Sequence, residues 1–355
     1  MIDLVLPLTY DECRARFRRV AGAAHESHPI EARGPDGAAL TIDVARAGDP
    51  AARRVLVVLS GVHGVEGFAP SAIQCELLGY PVPPGVRLVV VHAINPWGMT
   101  WYRRQNESNV DLNRNWARDR VEPPANPGYA ELHDLLVPGG DEPPSAESFI
   151  NGMRMLRERH GLAWLRAAIS GGQYSHPDGL YFGGGREEVS TRLLRSIAET
   201  HLSTAELVVT VDLHTGHGAF GTCTLLSHDV AGTAGDAWLR RWFSAERIEA
   251  TAGNPDATAV PKVGQLARGL AQLLPAAQYH DVTFELGTVR ETRMILAERA
   301  EHWVHRHGDR DDPAHAAAVW EHRICSTPDD PGWERSALEH GRRVLDQALS
   351  AVATA

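Results

Sequence analysis

A histidine and a glutamate three residues apart, just after an apolar run, are the first candidates for metal chemistry. The segment LSGVHGVEGFAPSA places His63 and Glu66 in a glycine-rich turn between a predicted strand and a predicted helix. In such a turn an imidazole and a carboxylate can converge on one ion, and mixed nitrogen and oxygen ligands suit Zn²⁺. The pattern is weak by itself, since His28 and Glu31 form a second match. That match lacks a preceding apolar strand, so we predict that His63 and Glu66 bind the metal.

A later apolar run offers a third ligand. In VVTVDLHTGHG, a predicted strand ends on His214, with Asp212 two residues earlier and His217 three residues later. Ligands in α/β folds collect at the carboxyl ends of the strands. We therefore predict His214 as the third metal ligand, with His217 as the competitor and Asp212 as a supporting or structural residue.

A carboxylate interrupts the last strand-like run, VTFELGT, at Glu285. An isolated buried charge is strongly disfavoured, so this side chain must be solvated, paired or functional. Beside a metal-activated water it can accept a proton and then donate it to a leaving amine.

Arginine and amide side chains crowd the segment NPWGMTWYRRQNESNVDLNRNW. It contains Arg103, Arg104, Asn113 and Arg114. Burying these groups without an anionic partner would be costly, and a substrate carboxylate or a developing oxyanion would satisfy them. The alternative is a surface loop with structural ion pairs.

Taken in order, these four segments resemble the M14 metallocarboxypeptidase superfamily, most closely its compact bacterial branch with a DUF2817-type domain. The elements HGVE, NPWG, RRQN, DLNRNW, DLH and TFELGT follow the order of that family over about residues 55–290. The resemblance implies one catalytic zinc ion per chain, held by His63, Glu66 and His214 with one position open to water. It implies a hydrolase that cleaves a peptide-type amide in a small substrate with a free carboxylate.

The resemblance also implies roles for the other polar residues. Glu285 is similar to the general acid/base, and Arg104 to the arginine that polarises the scissile carbonyl. Arg103 is the alternative for that role and otherwise counts as a substrate-binding residue. Asn113 and Arg114 are similar to the pair that binds the terminal carboxylate of the substrate.

One feature departs from the family pattern. Larger carboxypeptidases carry a substrate-capping tyrosine about twenty residues before the late glutamate, but the window AVPKVGQLARG contains none. Tyr279 lies six residues before Glu285 and is expected to belong to its strand, whereas Tyr174 and Tyr181 are candidates to cap the site.

The predicted elements that position these residues alternate between strands and helices. Continuous Val-, Leu- and Ile-rich runs predict strands buried on both faces, at 39–47, 53–60, 86–94, 205–214, 222–228 and 280–287. Helical periodicity predicts helices at 10–23, 70–79, 146–160, 187–201, 231–243, 289–305 and 333–353. This alternation predicts an α/β fold, a three-layer sandwich with a mixed, mostly parallel central sheet and helices on both faces.

The expected organisation is a single domain spanning residues 1–355. Loop insertions are expected at about 118–185, because 118–144 and 172–185 are rich in Pro, Gly and other turn residues. C-terminal helices at about 289–353 carry Trp303, Trp320 and Trp333, which are expected to cover the core or, alternatively, a partner in a homo-oligomer.

Composition limits the function classes. A formal net charge of −10 disfavours binding to nucleic acid or to an anionic membrane surface. The chain shows no signal-peptide pattern and no apolar run long enough to span a bilayer, and its four scattered cysteines contain no CxxC pair. We expect reduced thiols, a cytoplasmic location and a small-molecule or short-peptide substrate.

Three other readings compete. The nearest is an N-acyl amino acid deacylase resembling the succinylglutamate desuccinylase and aspartoacylase group, which shares the HxxE and DLNR-like segments. A noncatalytic zinc-binding module is disfavoured by Glu285, since binding alone needs no base there. A serine hydrolase is weaker still, because the sequence has no GxSxG motif around Ser60 or elsewhere.

Overall fold

A computed structural model describes residues 6–117, 122–140, 143–252, 259–260 and 262–355. Its strands are β1 His25–Arg33, β2 Ala39–Gly48, β3 Arg54–Ser60, β4 Val86–His92, β5 Leu207–Thr215, β6 Cys223–Val230, β7 Ile248–Ala252 and β8 Gln278–Leu286. Its helices are α1 Tyr10–Ala21, α2 Phe68–Leu77, α3 Pro96–Thr100, α4 Pro127–Leu136, α5 Ala146–His160, α6 Leu162–Ser170, α7 Val189–Leu202, α8 Ala234–Trp242, α9 Leu266–Leu270, α10 Glu291–His307, α11 Pro313–Ser326 and α12 Pro331–Thr354.

All eight strands form one sheet in the order β1-β2-β4-β3-β5-β8-β6-β7. The central pairs β4–β3, β3–β5 and β5–β8 are parallel, as is the edge pair β6–β7. The pairs β1–β2, β2–β4 and β6–β8 are antiparallel. Every residue of β5 is buried, which explains why its sequence is a continuous apolar run and not an alternating one.

Helices cover both faces of the sheet. On β3, Leu56 and Val58 belong to a core cluster that includes residues of α1, α2, α8 and α12. The alternate residues Val55, Val57 and Leu59 belong to a second cluster with residues of α7 and α9. The strand period of two thus divides one apolar run between two cores. The predicted α/β sandwich with a mixed, mostly parallel sheet is confirmed.

The region predicted as loop insertions contains more helix than expected. The loop prediction is wrong for Pro127–Leu136, which form α4, and α6 follows α5 almost directly. Proline occupies the first turn of α4, and the side chain of Asn126 accepts a hydrogen bond from the Tyr129 amide. Proline and asparagine therefore mark a helix start here and not a loop. Residues 118–121, 141–142, 253–258 and 261, parts of the predicted loops, lie outside the described residues.

The C-terminal tryptophans differ in their surroundings. Trp333 and Trp303 are buried, whereas Trp320 is partly exposed on α11. All four cysteines are unpaired and buried. Within the described ranges, no helix combines the length and the apolar character needed to cross a membrane.

Candidate metal centre

The turn after β3 carries the first two predicted ligands into the interior. His63 precedes a 3₁₀ turn over Gly64–Glu66, and both His63 and Glu66 are buried. The Val65 amide donates to the Arg103 carbonyl at 2.9 Å, which ties the turn to the arginine segment. A Cβ at Gly64 would lie 2.1 Å from backbone atoms of Gly98 and Met99, so the turn packs directly on the backbone of α3.

His214 comes from the middle of the sheet. It is the eighth residue of β5 and is 1% exposed. Because β3 and β5 are parallel neighbours, the turn after β3 and the end of β5 meet at one edge of the sheet. That edge brings together side chains that are 151 positions apart in the sequence.

Three residues converge at this edge, through the Nδ1 atoms of the two histidines and the carboxylate oxygens of Glu66. His63 Nδ1 lies 2.8 Å from Glu66 Oε1, His214 Nδ1 lies 3.0 Å from Glu66 Oε2, and the two Nδ1 atoms are 3.2 Å apart. Zinc bonds of about 2.0–2.2 Å in tetrahedral geometry place neighbouring ligand atoms roughly 3.3 Å apart. Donor type and spacing both fit a zinc ion with three protein ligands, and a divalent cation would offset the crowding of these electron-rich atoms.

A carboxylate lies next to the Nε2 atom of each imidazole. Asp212 Oδ2 is 2.9 Å from His214 Nε2, and Asp111 Oδ1 is 3.2 Å from His63 Nε2. Both aspartates are buried. A carboxylate on the outer nitrogen fixes the ring orientation and makes the inner nitrogen a better metal ligand.

Glu285 lies on the strand next to His214. The two residues are register partners in the parallel pair β5–β8, so their side chains project from the same face. Burial raises the pKa of the Glu285 carboxyl, against the lowering effect of His214. A raised pKa suits a group that must both accept and release a proton near neutral pH.

The two adjacent arginines face different surroundings. Arg103 is fully buried, and its Nε donates to Glu301 at 3.2 Å. Arg104 is close to the three-donor group, with Nη1 at 3.2 Å from Glu66 Oε1 and Nη2 at 2.8 Å from His63 Nε2. Burial alone would lower the pKa of Arg104, but Asp111, Glu298 and Glu66 raise it, so the guanidinium stays charged.

Asn113 and Arg114 line the same cavity as His63, Glu66 and Arg104. The Asn113 side chain accepts from the Leu266 amide at 3.2 Å. Arg114 donates only to backbone carbonyls, from Nη1 to Asn113 at 2.8 Å and from Nη2 to Ser170 at 2.7 Å. Its Nε is buried and has no partner among the described residues. Among the described residues, no carboxylate forms an ion pair with Arg114 that would compete with a ligand.

A cavity of about 510 Å³ joins these residues. Its polar wall includes His63, Glu66, Arg104, Asn113, Arg114, Lys262 and Glu285, whereas Arg103 lies outside it. Apolar side chains of α5, α6 and α10 form another part of the lining, among them Phe149, Met153, Leu165 and Ile295. The cavity is large enough for a substrate that extends well beyond one amino acid residue.

The sequence matches the family described as "Protein of unknown function (DUF2817)" over residues 7–340, nearly the whole chain. The chain belongs to the DUF2817 family. That part of the resemblance is confirmed. No curated protein matches the sequence.

Several solved structures are similar to this DUF2817 protein. Carboxypeptidase A from Helicoverpa armigera is 14% identical, with 93% of this chain and 73% of that chain covered and a TM-score of 0.47. Murein-tripeptide amidase from Escherichia coli O157 is 17% identical, with 88% and 97% covered and a TM-score of 0.38. Bovine thrombin-activatable fibrinolysis inhibitor, in complex with tick carboxypeptidase inhibitor, is 10% identical, with 96% and 98% covered and a TM-score of 0.47.

The candidate capping tyrosines of the DUF2817 chain have defined positions. Tyr181 lines the cavity, and its hydroxyl donates to Glu298 Oε2 at 2.8 Å. Tyr174 lies behind Arg114, where its hydroxyl donates to the Arg114 carbonyl at 2.9 Å. Tyr279 belongs to β8, and its hydroxyl donates to Thr210 at 2.9 Å. Of the three, Tyr181 alone is placed to contact a molecule in the cavity.

The competing metal ligands do not join the three-donor group. His217 lines the cavity but is not one of the converging donors. His28 lies on β1, where its Nε2 is 3.6 Å from Glu26 Oε1.

The described residues contain a second group of metal-ligand type, Cys223, Glu246 and His340. Arg343 already binds that glutamate, with 2.9 Å between Nη2 and Oε2, and burial raises the pKa of the Cys223 thiol, so an arginine takes the place a metal would need.

Three residues at the site received no role from the sequence. Asp111 stands within DLNRNW, and its spacing from Asn113 was a usable signal. Glu298 lies on α10 near Arg104, with 3.9 Å between Oε1 and Nε, and no local pattern marks it. Lys262 was marked by rarity, because it is the only lysine in the chain.

Proposed function

We propose that this protein is a zinc-dependent hydrolase that cleaves a peptide-type amide bond in a small substrate with a free carboxylate. One observation carries the proposal. Three metal-type donors from distant parts of the chain lie 2.8–3.2 Å apart, beside a carboxylate and two arginines at one cavity. A structural zinc site is typically closed by four Cys or His ligands, whereas three ligands beside a cavity are typical of a catalytic site.

His63, Glu66 and His214 would hold the zinc ion. When bound, the ion supplies a Lewis acid at the edge of the cavity. Asp212 and Asp111 orient the two imidazoles through their outer nitrogens.

Glu285 moves the proton in this proposal. Its carboxylate accepts a proton from the attacking water and returns it to the amine that leaves. Burial raises the pKa of the Glu285 carboxyl, which favours its protonated form and so supports the step in which it donates a proton to the amine.

Arg104 stabilises the negative charge that develops on the carbonyl oxygen. Its guanidinium is held by Asp111 and Glu66 at 3.2 Å each, so the donor is already oriented before the substrate arrives. Asn113 and Arg114 bind the free carboxylate of the substrate and so set which amide lies at the reacting centre.

A deacylase that acts on N-acyl amino acids is the second candidate. The apolar wall of α5, α6 and α10 favours it, since an acyl chain could lie there while the amino acid carboxylate meets Arg114. A noncatalytic zinc-binding module is less well supported, because it gives no reason for Glu285 to lie in the cavity.

Metal analysis combined with a substrate screen tests the proposal. We expect about one zinc ion per chain in both the wild-type protein and Glu285→Gln, because Glu285 is not a ligand. Turnover of the best substrate should fall by about 10²- to 10⁴-fold in the variant, as is typical when a general acid/base is removed. Equal turnover in the two proteins would remove Glu285 from the mechanism.

A matched substrate panel separates the two candidates. Dipeptides and N-acyl amino acids that share the same C-terminal residue differ only on the acyl side of the scissile bond. Higher kcat/KM for the dipeptides favours the peptidase, and higher kcat/KM for the N-acyl series favours the deacylase. A zinc-loaded protein inert toward both series would support the noncatalytic module.

A further inference from the structure

Lysine is almost absent from this protein. Of 35 Lys and Arg residues, only Lys262 is a lysine. It is half-buried and lines the same cavity as the metal-type donors. Within the part of the chain that the structure describes, no carboxylate forms an ion pair with its ammonium group.

Arg114, which forms no ion pair with a carboxylate among the described residues, is a second cation that acts on Lys262. Arg114 also lines the cavity, and its two Nη atoms donate to backbone carbonyls. Two like charges in a half-buried space repel each other, and an anion between them offsets that cost.

The charged groups that face Lys262 have opposing effects. Burial, Arg114 and Arg104 lower the pKa of Lys262, whereas Glu285 and Asp111 raise it, and the combined effect is a pKa of about 8. His217 and Gln265 also line the cavity on this side. The lysine thus loses its charge at a pH where an arginine keeps it.

We propose that Lys262 is a specificity-determining residue that binds a carboxylate of the substrate together with Arg114. This deepens the proposed function, on which it rests for the identity of the anion as a substrate group. The ammonium group supplies a point charge and a donor, while Arg114 supplies a fixed guanidinium. The cavity then selects substrates with an anionic group on the amine side of the scissile bond.

Kinetics of two variants give the first test. Lys262→Gln should raise KM by roughly tenfold or more for substrates with a free carboxylate, because a charge-assisted hydrogen bond is lost. The same variant should change kcat by no more than a few-fold. For control substrates in which a carboxamide replaces the free carboxylate, it should have little effect on KM. Lys262→Arg should retain most of the affinity. An equal KM increase for carboxylate and carboxamide substrates would overturn the proposal.

The pH profile supplies a second readout. An anion stabilises the charged lysine, so binding is strongest below the pKa of the free protein and weakens as the pH rises through about 8. In Lys262→Arg that decline should disappear, because the guanidinium stays charged. A decline that persists unchanged in Lys262→Arg would assign it to another group.

The single lysine permits a test without turnover. Reductive methylation with ¹³C-formaldehyde labels only Lys262 and the terminal amine, and a Lys262→Arg sample identifies the terminal signal. N-acetylglycine should shift the Lys262 signal and raise its titration midpoint, whereas N-acetylglycinamide should do neither. The signal shift and the titration midpoint are measured in zinc-loaded and in chelated protein. Because neither requires turnover, this test can succeed even if the proposed hydrolase activity is wrong. Equal responses to the acid and the amide would refute the carboxylate site.

Discussion

Two HxxE matches occur in this sequence, and backbone geometry separates them. His63 and Glu66 occupy a 3₁₀ turn, where residues three apart can face one point. His28 and Glu31 lie within the strand β1, where residues three apart project to opposite faces of the sheet. An imidazole and a carboxylate on opposite faces cannot share an ion.

Alanine variants of the two histidines test this distinction. His63→Ala should reduce bound zinc to well below one ion per chain after dialysis, because one of three protein ligands is lost. His28→Ala should retain full zinc content, and it serves as the matched control. Atomic absorption or a zinc-sensitive dye measures the difference. If His28→Ala lost zinc and His63→Ala retained it, the metal would bind at His28 and Glu31, and our prediction would be wrong.

Arg103 and Arg104 show what residue types alone cannot decide. Both arginines are consistent with a role at the carbonyl, and they are adjacent in the sequence. Their surroundings depend on α10, which supplies Glu301 to Arg103 and Glu298 to Arg104. These partners lie almost 200 positions away, so no local pattern could separate the two.

The turn that carries His63 and Glu66 depends on close backbone packing. At Gly64 an added Cβ would meet the backbone of Gly98 and Met99 at 2.1 Å, and neither can move as a flexible side chain would. At Gly185 an added Cβ would meet nothing within 4 Å.

Gly64→Ala should therefore weaken zinc binding as well as the fold. We expect a loss of about 1–3 kcal/mol in the free energy of unfolding, the usual cost of overpacking, together with a higher zinc dissociation constant. Denaturant titration and zinc titration measure the two effects. Gly185→Ala is the control and should change neither. A normal zinc constant in Gly64→Ala would mean that the turn does not set the ligand geometry.

The elements found from the sequence are those with a strong apolar pattern. The central strands are covered on both faces, so their apolar runs were visible, and the long helices have one apolar side. The strands β1 and β7 were missed because they form the two edges of the sheet, where polar residues replace the apolar run. The helices α4 and α11 begin with proline, which resembles a loop signal when the cap is not recognised.

The fold and the predicted ligand group could be derived from the sequence, whereas other residues of the cavity could not. The sheet follows from local runs, and the meeting of His63 with His214 follows from the rule that parallel strand ends share an edge. Glu298 and Lys262 reach the cavity through the packing of α10 and of the segment before α9, which no spacing rule describes. Family motifs therefore located the three residues that converge, but the residues that shape the cavity around them required the structure.

Zinc binding would join parts of the molecule that fold from distant segments. The turn after β3 and the end of β5 are 151 residues apart and would be held by one ion. The Nδ1 atoms of these two histidines lie 3.2 Å apart, and each lies within 3.0 Å of an oxygen of Glu66, so one ion could contact all three residues. Any ligand that binds only the folded state stabilises it by mass action.

Chelation should consequently lower the thermal stability of the whole protein. Zinc at about 100 times its dissociation constant contributes about 2.7 kcal/mol, which corresponds to a fall of roughly 4 °C in the unfolding midpoint when zinc is removed. Differential scanning calorimetry with and without a chelator measures this fall. In His63→Ala the chelator should have little effect, because that variant retains little zinc. A fall of equal size in both proteins would show that the stabilising metal lies at another site, whereas a fall confined to the wild type ties global stability to the ion between β3 and β5.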